Sequence, residues 1–392
     1  MQIYMDNAAT TPMSDAAVNA MLDCMKNNYG NPSSIHKTGQ AARRAIEGSR
    51  EAVARLIGAD KKEVYFTSGG TEADNWAILA AAETGAKKGK KHIISTRFEH
   101  HAALHRLERL ERQGFEISLL EVHSDGLVRP DELESAIRED TALVTVMYAN
   151  NEIGTVQPIA ELGAVCRSRG VVFHTDAVQA VGQVPIDVNA QNIDMLSLSA
   201  HKFHGPKGVG ALYCRAGVPL PVFIEGGAQE RGRRGGTENV PAIAGMAAAL
   251  EEACRNMENK AKTVTAMRDR LIDAFAAVPH SRLNGHREKR LPGIASFCFE
   301  GVEGEAVLLM LDHAGISASS GSACTSGSLE PSHVLLALGL PHEIAHGSLR
   351  LSLSGYNTPE EIEKVIEVLP PIIGRLREIS PVWEKIKNGG PN

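Results

Sequence analysis

The chain alternates short strands with helices, as in the stretch Phe66-Thr67-Ser68-Gly69-Gly70-Thr71-Glu72, where an apolar run passes through two glycines into a helix-length segment. The spacing matches neither a Walker loop nor GxGxxG. Bare backbone N–H groups at a helix start, with the Thr71 hydroxyl beside them, are able to hold a phosphate group. Taken alone, the turn is equally compatible with a structural strand-to-helix connection.

The same alternation continues through the first two-thirds of the sequence. It predicts strands at Val64–Thr67, His92–Thr96, Ala142–Tyr148, Val171–His174, Met195–Leu198 and Gly210–Tyr213. It predicts helices at Ser14–Met25, Gly39–Leu56, Glu72–Lys87, Ala102–Gln113, Asp131–Ile137 and Ile159–Arg169. This pattern indicates an α/β fold with a mainly parallel sheet between helices, in which ligands bind beyond the carboxyl ends of the strands. A long helical stretch near Val240–Ala277 leads to a second αβ region.

Composition narrows the class of protein. The 392 residues include 41 Lys and Arg against 47 Asp and Glu, a formal charge of −6, which argues against nucleic acid or an anionic membrane surface as the main partner. No run approaches the roughly 20 apolar residues that cross a bilayer, and the first residues lack the pattern of a secretory signal. The six cysteines form no CxxC pair, so neither a disulfide framework nor a metal site is expected. We expect a cytoplasmic globular protein.

Two strand ends carry residues that packing does not explain. Asp176 ends an apolar strand, where a carboxylate needs a cationic partner, although a helix N-cap is the alternative. Lys202 follows another strand, beside His201 and His204 and before a turn rich in glycine and proline. An amine in such a low-dielectric position suits Schiff-base chemistry, although surface lysines are far more common.

Together, the phosphate-binding turn, the carboxylate and the lysine predict pyridoxal phosphate as cofactor. Asp176 would keep the ring nitrogen protonated, so that the ring draws electrons from the substrate Cα. An imidazole in Glu99-His100-His101-Ala102 could stack on the ring and move protons, and the residues alone do not decide which one.

Cys324 lies among small residues, Ser319–Ser328, which cannot build a core. The composition predicts a mobile loop that presents an exposed thiol, and an exposed thiol is normally a liability. We interpret Cys324 as a nucleophile because the lysine, carboxylate and phosphate-binding turn lie in the same chain. A surface turn that happens to contain a cysteine is the alternative.

These residues resemble a known family, the NifS/IscS-like cysteine desulfurases among the class V, fold-type I enzymes. The matching stretches follow one order over nearly the whole chain: Tyr4–Thr11, Gly30–His36, Thr67–Glu72, Glu99–Ala102, Ala149–Gly154, His174–Gln179, Ser199–Gly210, Glu230–Glu238, Gly321–His333 and Arg350–Leu353. The ending at Ser380-Pro381-Val382-Trp383 is similar to the nitrogen-fixation NifS branch. Gly355 departs from the basic residue usual in the family, and His100-His101 is doubled.

The resemblance implies a fold-type I transferase. Its large domain, residues 14–257, would carry a seven-stranded, mainly parallel sheet and the cofactor. Residues 1–13 and 258–392 would form a smaller α+β domain that carries the cysteine loop.

The resemblance also implies roles for individual residues. Lys202 would bind the cofactor, Asp176 the ring nitrogen and Gln179 the ring hydroxyl, while His100, directly after Glu99, would stack on the ring. The phosphate would be held by Gly70, Thr71, Ser199 and His201, and by Thr237 reaching across from the other subunit of a homodimer. Asn151 and Arg350 would bind the substrate carboxylate, the arginine as a bidentate clamp.

The implied reaction removes sulfur from L-cysteine. Lys202 would take the Cα proton, and the Cys324 thiolate would attack the substrate sulfur, leaving a persulfide on Cys324 and releasing L-alanine. The sulfur would pass to a NifU- or IscU-like scaffold for iron–sulfur cluster assembly, general or nitrogenase-type. The alternatives are a selenocysteine lyase, a class V aminotransferase, or a non-enzymatic scaffold, which the retained Lys202, Asp176 and Cys324 disfavour.

Two further motifs are given ordinary interpretations. His342-Glu343-Ile344-Ala345-His346 matches the HExxH zinc signature, but Pro341 and Gly347 leave barely one helical turn, so we expect a short helix leading to Arg350. The segment 231–236 is rich in arginine and glycine, but it is short and isolated in an acidic protein, so an RNA-binding role is not favoured.

Overall fold

The computed structural model describes residues 2–320 and 331–387. Within them the strands are β1 (Ile3–Tyr4), β2 (Val64–Thr67), β3 (His92–Thr96), β4 (Glu116–Leu120), β5 (Thr141–Thr145), β6 (Val172–Asp176), β7 (Met195–Ser199), β8 (Gly210–Cys214), β9 (Ser281–Leu283), β10 (Ile294–Phe299), β11 (Ile316–Ser317) and β12 (Ser348–Ser352). The helices are α1 (Asp15–Asn27), α2 (Lys37–Leu56), α3 (Gly70–Ala86), α4 (His101–Glu111), α5 (Pro130–Ala136), α6 (Ile159–Arg169), α7 (Gln229–Gly232), α8 (Val240–Cys254), α9 (Met257–Ala276), α10 (Gly304–His313), α11 (His333–Ala337), α12 (His342–Ala345), α13 (Pro359–Glu378) and α14 (Pro381–Lys387).

Seven strands form the large sheet in the order β2-β8-β7-β6-β5-β3-β4. Strand β8 runs antiparallel to both neighbours, and the other pairs are parallel. The predicted α/β fold with a mainly parallel sheet is therefore confirmed. Because β2, β3, β5, β6 and β7 point the same way, the residues that follow them meet at one edge of the sheet.

Three sequence predictions differ from the structure in detail. The long helical stretch predicted near Val240–Ala277 is two helices, because the chain breaks at Asn256, whose φ of +58° is left-handed. Asparagine is among the few residues that adopt this conformation readily. Strand β5 ends at Thr145 rather than Tyr148, although the Val146 and Tyr148 amides still bond to β6. Edge strand β4 was not predicted.

A second sheet follows later in the chain. Strands β12, β10 and β9 pair antiparallel in that order, and β1 pairs with β11 in a separate parallel ribbon. The apolar residues of these strands pack with α9, α10 and α13 into one hydrophobic cluster. Apolar residues of α11 and α12, including Val334 and Leu335, pack instead with the cluster that contains α1, α2 and α8. The division into domains at residues 14–257 remains a prediction.

No helix in the described ranges is long and apolar enough to cross a membrane. The HExxH segment forms the four-residue helix α12, His342–Ala345, as the short-helix interpretation predicted.

Candidate active site

A cavity of about 330 Å³ lies at the carboxyl edge of the large sheet. Its lining includes ten predicted site residues: Gly70, Thr71, His100, Asn151, Asp176, Gln179, Ser199, His201, Lys202 and Arg350. The structure therefore brings together residues that are separated by up to 280 positions in the chain. The lining also includes five residues that sequence reasoning did not assign to the site: Ala8, Ala9, Asp74, Met147 and Val178.

One end of the cavity is formed by the start of α3. Gly69 precedes the helix with φ +155°, and a Cβ on Gly70 would lie 2.5 Å from Val178 Cγ2. The first N–H groups of a helix have no partner within the helix, so the Gly70–Glu72 turn presents donors to a bound anion. The Ser199 side chain lies across from this turn, within 4 Å of the position that a Gly69 Cβ would occupy.

Lys202 ends a short 3-10 turn, Ala200–Lys202, directly after β7. Its Nζ donates to the carbonyl oxygens of Ala8 at 2.5 Å and Ala9 at 3.0 Å. The N-terminal segment is fixed against this turn by the Thr11 hydroxyl, which donates to the His201 carbonyl at 2.8 Å. The beginning of the chain thus forms one wall of the site and orients the lysine.

Asp176 is the last residue of β6 and is 6% exposed. Burial raises the pKa of its carboxyl to about 6, although the Val178 amide and the positive charge of Lys202 both lower it. The Val178 amide donates to Asp176 Oδ1 at 2.9 Å and holds the carboxyl in place. A buried acid in this position is stabilised as an anion when a cation binds beside it.

The two adjacent histidines face different surroundings. His100 lines the cavity as the N-cap of α4, with its Nδ1 accepting from the Ala102 amide at 3.1 Å. Burial and then Lys202 lower the pKa of His100 to about 4, so the ring is neutral at pH 7. The His101 ring lies 5.0 Å from the His105 ring and 4.6 Å from the His333 ring. This geometry favours His100 over His101 as the ring that faces a ligand.

Arg350 projects from β12 and is 2% exposed. Its Nη1 donates to the Asn151 carbonyl at 3.0 Å, and its Nη2 donates to Asp6 Oδ1 at 2.9 Å. The buried Nε has no hydrogen-bond partner among the described residues.

Gln179 is held against the N-terminal segment that also contacts Lys202, because its Nε2 donates to the Ala8 carbonyl at 2.8 Å.

One predicted site residue, Thr237, lies outside this cavity, and another, Cys324, is not described by the structure. Cys324 falls in 321–330, outside the described residues. Thr237 is exposed and lines a different cavity of about 220 Å³ together with Ser68 and Arg234. Thr237 is not among the residues that line the site cavity of its own chain, and its exposure is compatible with the predicted contact to a second subunit.

Ion pairs hold the segment that leads to Thr237. Glu230 accepts two bonds from Arg50, both at 2.8 Å, and both side chains are buried. Arg234 pairs with Glu72 at 2.8 Å. Burial raises the pKa of Glu72, but the hydrogen bonds from Arg234 and Ser68 outweigh this effect and lower the pKa.

In the arginine-rich stretch, the Arg231 guanidinium lies over the Tyr65 ring at 4.0 Å and donates to the Val64 carbonyl of β2, so it makes contacts within the fold.

Three buried carboxyls near the site were missed by sequence reasoning: Asp74, Glu99 and Glu152. Asp74 follows Gly70 by four residues, so helical spacing places both on one face of α3, and this signal was available in the sequence. Glu99 accepts from the Thr96 hydroxyl at 2.6 Å and the Met147 amide at 3.0 Å. Glu152 accepts from the Ser332 hydroxyl, 180 residues away, which no local pattern indicates.

Comparison with known families gives one consistent result. The family model described as Aminotransferase class-V matches residues 3–365. A protein named cysteine desulfurase IscS from Methanosarcina thermophila is 54% identical over 98% of this chain and 95% of its own length. Another of that name from Clostridium botulinum is 51% identical over 98% of this chain and 97% of its own length.

Solved structures agree with the sequence relatives. A structure named NifS-like protein superposes with a TM-score of 0.90 at 38% identity and covers 96% of this chain and 100% of its own. The chain is therefore similar over almost its full length to proteins with these names.

Proposed function

The chain belongs to the cysteine desulfurases of the class V aminotransferase family, and we propose that it removes sulfur from L-cysteine with Lys202, His100 and Cys324 as its catalytic residues. The observation that carries the proposal is that Lys202, Asp176, Arg350 and the first residues of α3 all line one cavity. The family relationship supports the reaction, and the residues that line the cavity support the roles proposed for Lys202 and His100.

The residues of the cavity fit pyridoxal phosphate. The start of α3 at Gly70 offers backbone N–H donors to a phosphate, and Thr71 and Ser199 supply hydroxyls among the residues that line the cavity. Asp176 suits a protonated ring nitrogen, and Gln179 and His201 line the remaining walls. When bound, the cofactor draws electrons from the substrate Cα.

Substrate binding would rely on Arg350 and Asn151. The guanidinium is already held by Asp6 and by the Asn151 carbonyl, and its buried Nε has no partner among the described residues. A substrate carboxylate would take such an unsatisfied donor and would be oriented by it. Its Cα would then lie towards Lys202.

Proton transfer would be carried out by Lys202, whose amine takes the Cα proton. The neutral His100 ring would accept or return a proton on the other side. The Cys324 thiolate would attack the substrate sulfur, so that the carbon–sulfur bond breaks as the sulfur–sulfur bond forms. The products would be a persulfide on Cys324 and L-alanine.

We further propose that the protein acts as a homodimer in which Thr237 serves the partner's cofactor. One face of α1 supports this, since Val18, Leu22 and Met25 follow helical spacing and are 41–54% exposed. Met13 and Ile35 are further exposed apolar residues in the same part of the chain. Surfaces of this kind on a soluble fold usually mark an interface.

The sulfur would pass to a NifU- or IscU-like scaffold for iron–sulfur cluster assembly, either general or for nitrogenase in nitrogen fixation. The names of the relatives support the assembly role.

We propose a cytoplasmic location, which the free thiols of Cys24, Cys166, Cys214, Cys254 and Cys298 support because disulfides are rare there.

An anaerobic assay tests the function. The protein, loaded with pyridoxal phosphate, receives L-cysteine and a reductant, and alanine and sulfide are measured against Cys324→Ser. Equal yields from the wild type, nearly abolished in the variant, support the proposal. Alanine formation that survives the substitution contradicts the persulfide step and favours a lyase, and absence of turnover in the loaded wild type contradicts the desulfurase function.

A further inference from the structure

Asp74 is a carboxyl that the mechanism does not use, although it lines the cavity. It lies one helical turn after Gly70 on α3 and is 1% exposed. Its Oδ1 has no hydrogen-bond partner among the described residues, and the nearest ring nitrogen, His174 Nε2, is 3.7 Å away. No described lysine or arginine forms an ion pair with it within 4.0 Å.

Burying a carboxylate without a cation beside it is unfavourable in free energy. An ionised Asp74 would also leave its Oδ1 without any hydrogen-bond donor. The same oxygen on a neutral acid carries far less charge, so leaving it unsatisfied costs less. The surroundings also oppose a charge: Asp176 and His174 come from β6, Ser197 comes from β7, and Glu99 follows β3. Burial and then the negative charge of Asp176 raise the pKa of Asp74 well above its usual value, and the Ser197 hydroxyl lowers it only in part.

A hydrogen-bond relay connects Asp74 to the sheet. The Ser197 hydroxyl is its neighbour, Ser197 Oγ lies 3.0 Å from His174 Nε2, and His174 Nδ1 lies 2.8 Å from Thr145 Oγ1. Burial lowers the pKa of His174 to about 3, so the ring is neutral and carries one N–H. The hydrogen bonds of the relay can then point in only two directions. They run from Thr145 towards Asp74 if Asp74 is a carboxylate, and from Asp74 towards Thr145 if Asp74 is protonated.

We propose that Asp74 is a neutral carboxylic acid that donates to Ser197 and leaves Asp176 as the anion that faces the ring nitrogen of the cofactor. Ser197 then donates to His174 Nε2, and His174 Nδ1–H donates to Thr145. Asp74 is in this sense a positioning residue, since it fixes the relay behind Asp176 without adding a second negative charge to the site. The inference rests on the proposed function for the identity of the ring, but the protonation of Asp74 does not depend on it.

The first test uses the protein without cofactor at about pH 8, where Asp176, with a pKa of about 6, is ionised. Infrared spectra compare wild type with and without ¹³C in the aspartate carboxyls, which separates aspartic acid from glutamic acid such as Glu99. We expect a protonated aspartic acid band that moves on labelling. Its absence from wild type overturns the proposal, and this result needs no variant to fold.

Two isosteric variants assign the band. Asp74→Asn should lose it, and the control Asp273→Asn, whose side chain is 68% exposed, should keep it. A band that survives in folded Asp74→Asn belongs to another aspartate and overturns the proposal.

The second test titrates the absorbance of bound pyridoxal phosphate against pH. If Asp74 is neutral, Asp74→Asn should leave the midpoint within about 0.3 pH units of wild type. If Asp74 were a carboxylate, removing its charge would lower the midpoint by about one unit or more, and this result overturns the proposal. Failure of the proposed function would show in the alanine assay and leave the infrared result unaffected.

Discussion

Arg350 and Asp6 form an ion pair in which Nη2 lies 2.9 Å from Oδ1, across 344 residues of sequence. The Asn151 carbonyl holds the neighbouring Nη1, so the guanidinium is fixed from two sides before any substrate arrives. Because Arg350 is 2% exposed, the arrangement would present the same donors to every substrate carboxylate.

Replacing Arg350 with lysine should therefore weaken substrate binding more than it slows the chemical step. Lysine keeps the charge but loses the planar pair of donors. We expect Arg350→Lys to raise the KM for L-cysteine by about 10- to 100-fold with a smaller change in kcat. Asp6→Asn, which keeps the guanidinium but removes one of its anchors, should raise KM less. Steady-state kinetics with alanine as the product check both values, and an unchanged KM in Arg350→Lys would falsify the assignment.

Lys202→Ala should abolish alanine formation, with a loss of about 1,000-fold or more, because the amine has no substitute at the Cα position. Borohydride should attach the cofactor covalently to wild type and leave the variant unlabelled, as measured by protein mass. Lys207→Ala is a matched control, since Lys207 lies in the same segment, is exposed and does not line the cavity. Equal labelling of Lys202→Ala and wild type is incompatible with the assignment.

In the proposed homodimer, the exposed apolar face of α1 would form the contact between subunits. Leu22→Glu places a charge in this surface and should convert the proposed dimer into monomers in light-scattering measurements. Leu309 on α10 is 72% exposed and provides the control, because Leu309→Glu should remain dimeric. If Thr237 serves the partner subunit, monomeric Leu22→Glu should also bind pyridoxal phosphate more weakly. A Leu22→Glu variant that stays dimeric places the interface elsewhere.

The contact between Ser332 and Glu152 predicts an effect on stability. The Ser332 hydroxyl donates to Glu152 and accepts from the Val334 and Leu335 amides at the start of α11. Ser332→Ala removes this cap and a bond to a buried carboxyl, so the free energy of unfolding should fall by about 1–3 kcal/mol. Ser332→Thr should recover part of the loss. Urea denaturation measures both, and equal stability of Ser332→Ala and wild type contradicts the contact.

Glu99 predicts a pH-dependent stability. Burial raises its pKa to about 8, despite the bonds from Thr96 and Met147 that lower it. Between about pH 4.5 and 8 the folded state keeps a proton that the unfolded chain has lost. Stability should therefore fall as pH rises through this window, by at most about 1.4 kcal/mol per pH unit.

Glu99→Gln removes this dependence. Its free energy of unfolding should rise relative to wild type as the pH increases from about 4.5 to 8, while any constant effect of the substitution cancels in the slope. Glu258→Gln, with a side chain that is 84% exposed, is the control and should parallel wild type. Parallel curves for Glu99→Gln and wild type would show that Glu99 ionises normally.

The sequence predicted those parts of the site that have local causes. Asp176 ends an apolar strand, Lys202 follows another, and Thr71 lies in the first turn of a helix, so strand and helix periodicity predicted that they meet at one edge of the sheet, whereas Ser199 was assigned from the family resemblance. The α/β fold followed from the same periodicity.

Other features depend on contacts between distant residues. The bond from Lys202 to Ala8 spans 194 positions and leaves no pattern near either residue, although the stretch around Ala8 was matched as a motif. Edge strand β4, with the sequence Glu-Ile-Ser-Leu-Leu, alternates polar and apolar residues over its first four positions, so this local signal was present although the strand was not predicted. The break at Asn256 lies between two good helix formers and became apparent only from its backbone angles.

The central claim is that Cys324 takes the sulfur of L-cysteine, and a single turnover tests it most directly. Loaded protein is mixed anaerobically with one equivalent of L-cysteine, alkylated, digested and examined by mass spectrometry. The account predicts one extra sulfur atom on the peptide that contains Cys324, in the same amount as the alanine released, and no extra sulfur in Lys202→Ala. Alanine release without sulfur on Cys324, or sulfur on another cysteine, would contradict it.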